Sequence, residues 1–127
     1  MAEKQPIFPA GALKPIGPYT PAIRSGDFVF ASGQIGVDPA TGSFPEGGVT
    51  AQAEQMFKNL KTLLEGAGAS FDQVVKTTLF LTDMNDFAAV NEIYARHFNE
   101  PFPARSTIQV AALPGGALVE LEAIARL

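Results

Sequence analysis

Phe102-Pro-Ala-Arg-Ser-Thr-Ile-Gln-Val-Ala-Ala-Leu-Pro-Gly-Gly-Ala-Leu-Val-Glu-Leu-Glu-Ala-Ile-Ala125 is the stretch whose reading decides the fold. Residues 105–111 alternate as a pleated strand does, with Arg105, Thr107 and Gln109 pointing one way and Ser106, Ile108 and Val110 the other. Leu113-Pro-Gly-Gly116 reads as a turn, because proline presets one backbone angle and glycine accepts positive ones. Residues 118–125 then form a second strand, with Val119, Leu121, Ala123 and Ala125 on one face and Leu118, Glu120, Glu122 and Ile124 on the other. The expectation is a hairpin that brings one arginine and two carboxylates near one end of a sheet and permits them to share a face. Two readings of that cluster stand at this point. One is a solvated surface ion pair that contributes little. The other is a pocket in which Arg105 grips a small carboxylate through its planar fork of donors while a glutamate handles water or protons.

The rest of the chain supplies a sheet and two helices around this stretch. Residues 1–14 carry Pro6, Pro9 and Gly11 and read as an irregular lead-in. The segment 14–24 is extended, since its prolines exclude a helix; within it Tyr19 either packs with a satisfied hydroxyl or lines a pocket. Ser25-Gly-Asp27 reads as a hairpin turn, and Phe28-Val-Phe-Ala-Ser32 as a core strand. Gly33 ends that strand, either as a bulge or as a point of close approach for another backbone or a ligand.

From Val49 the period changes. Val49, Ala53, Met56, Leu60, Leu63, Leu64 and Ala67 form one apolar stripe on a helix that Gly66 and Gly68 end, and Met56 reads as core filling. Ser70-Phe-Asp-Gln73 is a capped turn before an apolar strand over 74–81. Asp83 caps a second helix over 84–98, with Phe87, Val90, Tyr94 and Phe98 buried. Asn91 borders that stripe as either a structural amide or a functional one.

At 127 residues the chain reads as one domain spanning 1–127, long enough to bury a core. It contains no run near the ~20 apolar residues of a membrane span. Its start lacks the basic and apolar regions of a secretory signal, so a cytoplasmic location is expected. With no cysteine, thiol nucleophiles, disulfides and cysteine-bound metal are excluded. The single histidine, His97, falls late in the second helix with no nucleophile motif nearby and reads as an ordinary helix residue. Nine Lys and Arg against thirteen Asp and Glu leave a net charge of -4, little material for a nucleic-acid face. The order strand, strand, helix, strand, helix, strand, strand predicts an α+β fold, a mixed sheet with both helices on one face. Phe28, Phe30, Leu79 and Leu81 make a wholly wet opposite face unfavourable, so subunits are expected to pack there.

Six motifs in order, Ile16-Gly-Pro-Tyr19, Ala31-Ser-Gly-Gln-Ile35, Val75-Lys-Thr-Thr78, Asn85-Asp-Phe87 with Asn91, Phe102-Pro-Ala-Arg-Ser106 and Val119-Glu-Leu-Glu-Ala-Ile124, resemble the Rid (YjgF) family of reactive-intermediate deaminases. The resemblance runs from Ile16 to the C-terminus, and its most diagnostic pair is Pro-Ala-Arg-Ser followed by Glu-x-Glu. It implies a chorismate-mutase-like fold, a homotrimer with active sites between subunits, and hydrolysis of enamines and imines such as 2-aminoacrylate and 2-iminobutanoate to 2-keto acids and ammonia. By the same resemblance Arg105 binds the substrate carboxylate and Glu120 positions or activates water, while Tyr19, Ser32, Gly33 and Asn91 surround the cleft. Position 107, often cysteine in the family, is Thr107 here, which leaves its backbone as its contribution. Glu122 shares the face of Glu120 and reads as structural.

That chemistry asks little of side chains. A protonated imine is already electrophilic, so holding the carboxylate, placing water and moving protons suffice, with no metal or cofactor. Two other readings are an RNA-directed ribonuclease or translation inhibitor, which the acidic balance disfavours, and a non-catalytic metabolite-binding or chaperone-like trimer using the same cleft.

Overall fold

The computed structural model describes residues 3–127. In chain order its strands are β1 (Gln5–Ile7), β2 (Ala22–Ser25), β3 (Phe28–Ile35), β4 (Val74–Leu81), β5 (Ala104–Gln109) and β6 (Val119–Arg126). Its α-helices are α1 (Gly48–Gly66), between β3 and β4, and α2 (Phe87–Ala95), between β4 and β5. The strands form one six-stranded sheet in the order β1-β2-β3-β6-β4-β5, parallel only between β4 and β5. This is the α+β architecture expected, a mixed sheet with two helices on one face.

The terminal hairpin does not form. β4 lies between β5 and β6, so the two strands of the decisive stretch never pair. The turn at Leu113-Pro-Gly-Gly116 carries the chain around the end of β4 instead. Val110 N–H donates to Leu81 O at 2.8 Å on one side, and Thr82 N–H donates to Leu118 O at 3.2 Å on the other. Burial explains the order. Val119, Leu121, Ala123 and Ala125 are all lost from solvent and belong at the sheet centre, whereas β5 buries no residue fully and serves as an edge.

Two further expectations change. The lead-in over residues 1–14 is not irregular throughout: Gln5, Pro6 and Ile7 pair antiparallel with β2, where an edge strand tolerates the missing N–H of proline. Residues 1 and 2 of that lead-in lie outside the described residues. Leu79 and Leu81 do not belong to the open sheet face; both are 0% exposed beneath the helices, because alternation along β4 sends Thr77, Leu79 and Leu81 inward and Lys76, Thr78 and Phe80 outward. The open face is apolar through Phe28 and Phe30, 41% and 43% exposed.

The helices form where the patterns place them. Ala53, Met56, Leu60, Leu63 and Leu64 of α1 are buried against the sheet, together with Phe57. Two buried amides on α1 serve the irregular ends of the sheet: Asn59 donates to Ile35 O and Val37 O at 2.9 and 2.8 Å, and Gln52 accepts from Leu118 N–H at 2.9 Å. The second helix is shorter than the periodicity suggests. A 3-10 turn over Met84–Asp86, begun by Asp83 accepting from Asn85 N–H, precedes α2. At the other end, bonds from Arg96 N–H to Ile93 O and from His97 N–H to Tyr94 O tighten the last turn and stop it. His97 therefore sits just past α2, stacked at 4.2 Å on Phe57, and burial lowers its pKa.

Candidate active site

The first half of the site is built by a break in strand pairing. Between the pairs Ala31↔Ala123 and Gln34↔Leu121, Ser32 and Gly33 stand against Glu122 alone, so β3 bulges there. A Cβ on Gly33 would lie 2.7 Å from both the Cδ and the Oε2 of Glu120. The Glu120 carboxyl thus lies against bare backbone: Gly33 is a bulge, and the group that approaches it closely is a side chain rather than another backbone or a ligand. Ser32 is held by its N–H donating to Pro21 O at 2.9 Å and its hydroxyl donating to Thr20 O at 2.5 Å. Tyr19, half exposed, joins Ser32, Gly33 and Glu120 in lining a cavity of about 680 Å³ with Ile16 and Glu122. Burial, and secondarily the charge of Glu122, raise the pKa of Glu120.

The second half lies on the other side of the sheet. Arg105 on β5 is the parallel partner of Thr77 on β4, so it faces α2. Its guanidinium carbon sits 4.5 Å from the centroid of the Tyr94 ring and 5.6 Å from that of Phe87, a cation–π seat contributing about 0.5–2 kcal/mol. The Tyr94 hydroxyl is hydrogen-bonded to Thr77 Oγ1 at 2.7 Å, which fixes the ring. Burial raises the pKa of Tyr94, and the Thr77 bond and the Arg105 charge act against that rise. Arg105 and Asn91 line a cavity of about 460 Å³ with Tyr94, Phe102 and Pro103. Among the described residues Arg105 forms no ion pair, so its fork of donors remains available to a ligand. Thr107 follows two residues along β5 on the same face.

The sequence-derived residues therefore fall into two groups. Tyr19, Ser32, Gly33 and Glu120 are brought together on the open sheet face, and Arg105, Asn91 and Thr107 on or beside the helix face. The shared face that the hairpin allowed for Arg105 and the glutamates does not exist within one chain, because Glu120 pairs with Phe80 and faces outward while Arg105 pairs with Thr77 and faces inward. Reading the sequence missed the Tyr94 and Phe87 seat. Its signal was present in the spacing of Phe87, Asn91 and Tyr94, which share one helix face.

Fold and clefts together define a small α+β protein with two separate, largely apolar pockets, one carrying a carboxyl and one a guanidinium. The chain belongs to the family described as endoribonuclease L-PSP, whose model matches residues 10–127, and which is the Rid (YjgF) family that the motifs resemble. It is 49% identical over 122 residues to a RutC family protein of Pyrococcus horikoshii, covering 96% of this chain and 97% of that one. It is 52% identical over 110 residues to the 2-iminobutanoate/2-iminopropanoate deaminase of Mus musculus, covering 87% of this chain and 82% of that one. Among solved structures, RidA from an Antarctic Psychrobacter matches with a TM-score of 0.93 and 46% identity, covering 97% of this chain and 99% of that one.

Proposed function

We infer that the protein hydrolyses reactive enamines and imines, of the 2-aminoacrylate and 2-iminobutanoate type, to 2-keto acids and ammonia. The observation that carries this reading is the separation of Arg105 from Glu120. Each pocket holds half of what the reaction needs, and a complete site arises when the carboxyl pocket of one subunit meets the guanidinium pocket of another. The apolar open face with Phe28 and Phe30 supports such assembly, and a homotrimer closes it symmetrically. The relatives named as deaminases support the chemistry. The proposed place of action is the cytoplasm; separately, no helix of the described residues is long and apolar enough to cross a membrane.

In this reading Arg105 takes the substrate carboxylate in two parallel hydrogen bonds, which fixes the imine carbon. An enamine first gains a proton at carbon to become the imine. Water then attacks the carbon of the protonated imine, and Glu120 accepts a proton from that water as the carbon–oxygen bond forms. Glu120 passes the proton to the amino nitrogen, the carbon–nitrogen bond breaks to release ammonia, and the hydroxyl proton returns to Glu120 and then to solvent, leaving the 2-keto acid. Tyr19, Ser32, Gly33, Asn91 and the backbone at Thr107 border the substrate.

The test is keto-acid release from 2-aminoacrylate and 2-iminobutanoate generated in situ from serine and threonine by a pyridoxal-phosphate dehydratase. Release above the spontaneous rate that Arg105→Ala abolishes is expected. Equal release by both proteins would end the reading.

A further inference from the structure

Register places the Glu120 side chain beside Ile35, its cross-strand partner on β3. Its carboxyl nevertheless lies against Gly33, two residues back along β3 and inside the bulge that stands opposite Glu122. The bulge thus draws one carboxyl along the strand toward the next. Both glutamates point to the open face, one pleat apart on β6, and both line the 680 Å³ cavity.

We propose that Glu122 is a positioning residue of this site: its carboxylate, set beside that of Glu120 by the Gly33 bulge, tunes how firmly Glu120 holds the proton exchanged between water and the departing nitrogen. The assignment rests on the deaminase reading for its chemical purpose and on geometry for its existence. Two carboxylates held close resist ionising together, so the better buried one retains its proton to higher pH. Glu120 is the more buried of the two, and the charge of Glu122 acts on it in that direction. A general base that must also return its proton gains from a proton affinity nearer neutrality.

Within one chain the other charges around Glu120 are few, and in the assembly proposed above the partner subunit's Arg105 joins them alike in every variant tested. β3 carries no charged residue, and the lead-in to β2 contributes Lys14 and Tyr19 to the cavity lining. From β4 the outward cation is Lys76, whose Nζ donates to Thr77 O at 3.2 Å and Thr78 Oγ1 at 3.4 Å. Thr78 is the cross-strand partner of Glu122, and Lys76 that of Ile124, so Lys76 lies beyond Glu122 as seen from Glu120. Glu122 also borders a second cavity of about 270 Å³ that Lys76 lines. It therefore stands between the Glu120 carboxyl and Lys76 on this face.

The experiment follows the Glu120 side-chain carboxyl by carbon-13 NMR through a pH titration, in the wild-type assembly and in Glu122→Gln, Glu122→Asp and Lys76→Met. Expected are a midpoint displaced to lower pH in Glu122→Gln, retained in Glu122→Asp, and displaced less in Lys76→Met than in Glu122→Gln. An unmoved midpoint in Glu122→Gln overturns the assignment, as does a Lys76→Met displacement as large as that of Glu122→Gln. In keto-acid assays the acid limb of kcat/KM moves with the NMR midpoint. An inactive wild-type protein whose midpoint still moves in Glu122→Gln retires the deaminase reading while the coupling stands, so the two failures are distinguishable.

Discussion

Arg105 rests its guanidinium on the face of Tyr94, and the hydroxyl of that same ring is anchored to the buried Thr77 on the neighbouring strand β4. The arginine is thus aimed by a buried aromatic, and among the described residues no carboxylate pairs with it. Lysine at position 105 keeps the charge but loses the fork and the flat stacking surface. Arg105→Lys is expected to lower kcat/KM for 2-iminobutanoate roughly 10- to 100-fold, the worth of one charged hydrogen bond. Stopped-flow assays of both proteins check this, and an unchanged constant contradicts the clamp.

Tyr94 separates packing from polarity. Tyr94→Phe retains the seat for Arg105 but leaves the buried Thr77 hydroxyl without its partner, so stability should fall by about 1–3 kcal/mol with KM little changed. Tyr94→Leu removes the seat and should raise KM as well. Urea unfolding and steady-state kinetics on the two variants separate the effects.

Because Arg105 and Glu120 occupy opposite faces, two defective chains should repair one another. Arg105→Ala and Glu120→Ala are each expected to be inactive, whereas unfolding and refolding them together in equal amounts should restore about a quarter of wild-type activity in a cyclic assembly. Mixed assemblies without any recovered activity would place both residues of each site in one subunit.

At Gly33 a methyl group would meet the far end of a flexible side chain, so the fold should survive while Glu120 is displaced. Gly33→Ala should reduce kcat strongly in the wild-type background and hardly further in Glu120→Gln. A double-mutant cycle on kcat measures that coupling.

Glu120 also carries a stability signature. Its folded pKa is raised, so the stability it contributes is full below the unfolded carboxylate pKa and is lost as pH rises through the folded value. Glu120→Gln abolishes that loss. Its melting temperature relative to wild type should increase from acid to neutral pH, as calorimetry at several pH values can show; a difference independent of pH would contradict the raised affinity.

Periodicity made β3, β4 and α1 legible, because Val29 and Ala31, Leu79 and Leu81, and the stripe from Ala53 to Leu64 each obey the repeat of their element. It could not reveal which strands are neighbours. A strand alternating like β5 or β6 carries the same pattern whether it pairs with its successor or admits another strand between them. The turn residues at Leu113-Pro-Gly-Gly116 suit a hairpin and a passage around β4 equally well. Pro6 hid β1, since a proline argues against a central strand and says little about an edge. The motifs point to the residues of the two pockets but not to their grouping, for strand alternation fixes Glu120 against Leu121 but not against a residue on another strand.

The threading of β6 between β3 and β4 also governs how the chain is made. The strand that joins the two halves of the sheet is the last of its elements to be synthesised, so the earlier ones wait with β3 and β4 lacking their common neighbour. Nascent chains shorter than this strand expose unpaired edges and bare apolar surface, the condition in which chaperones bind and aggregates begin.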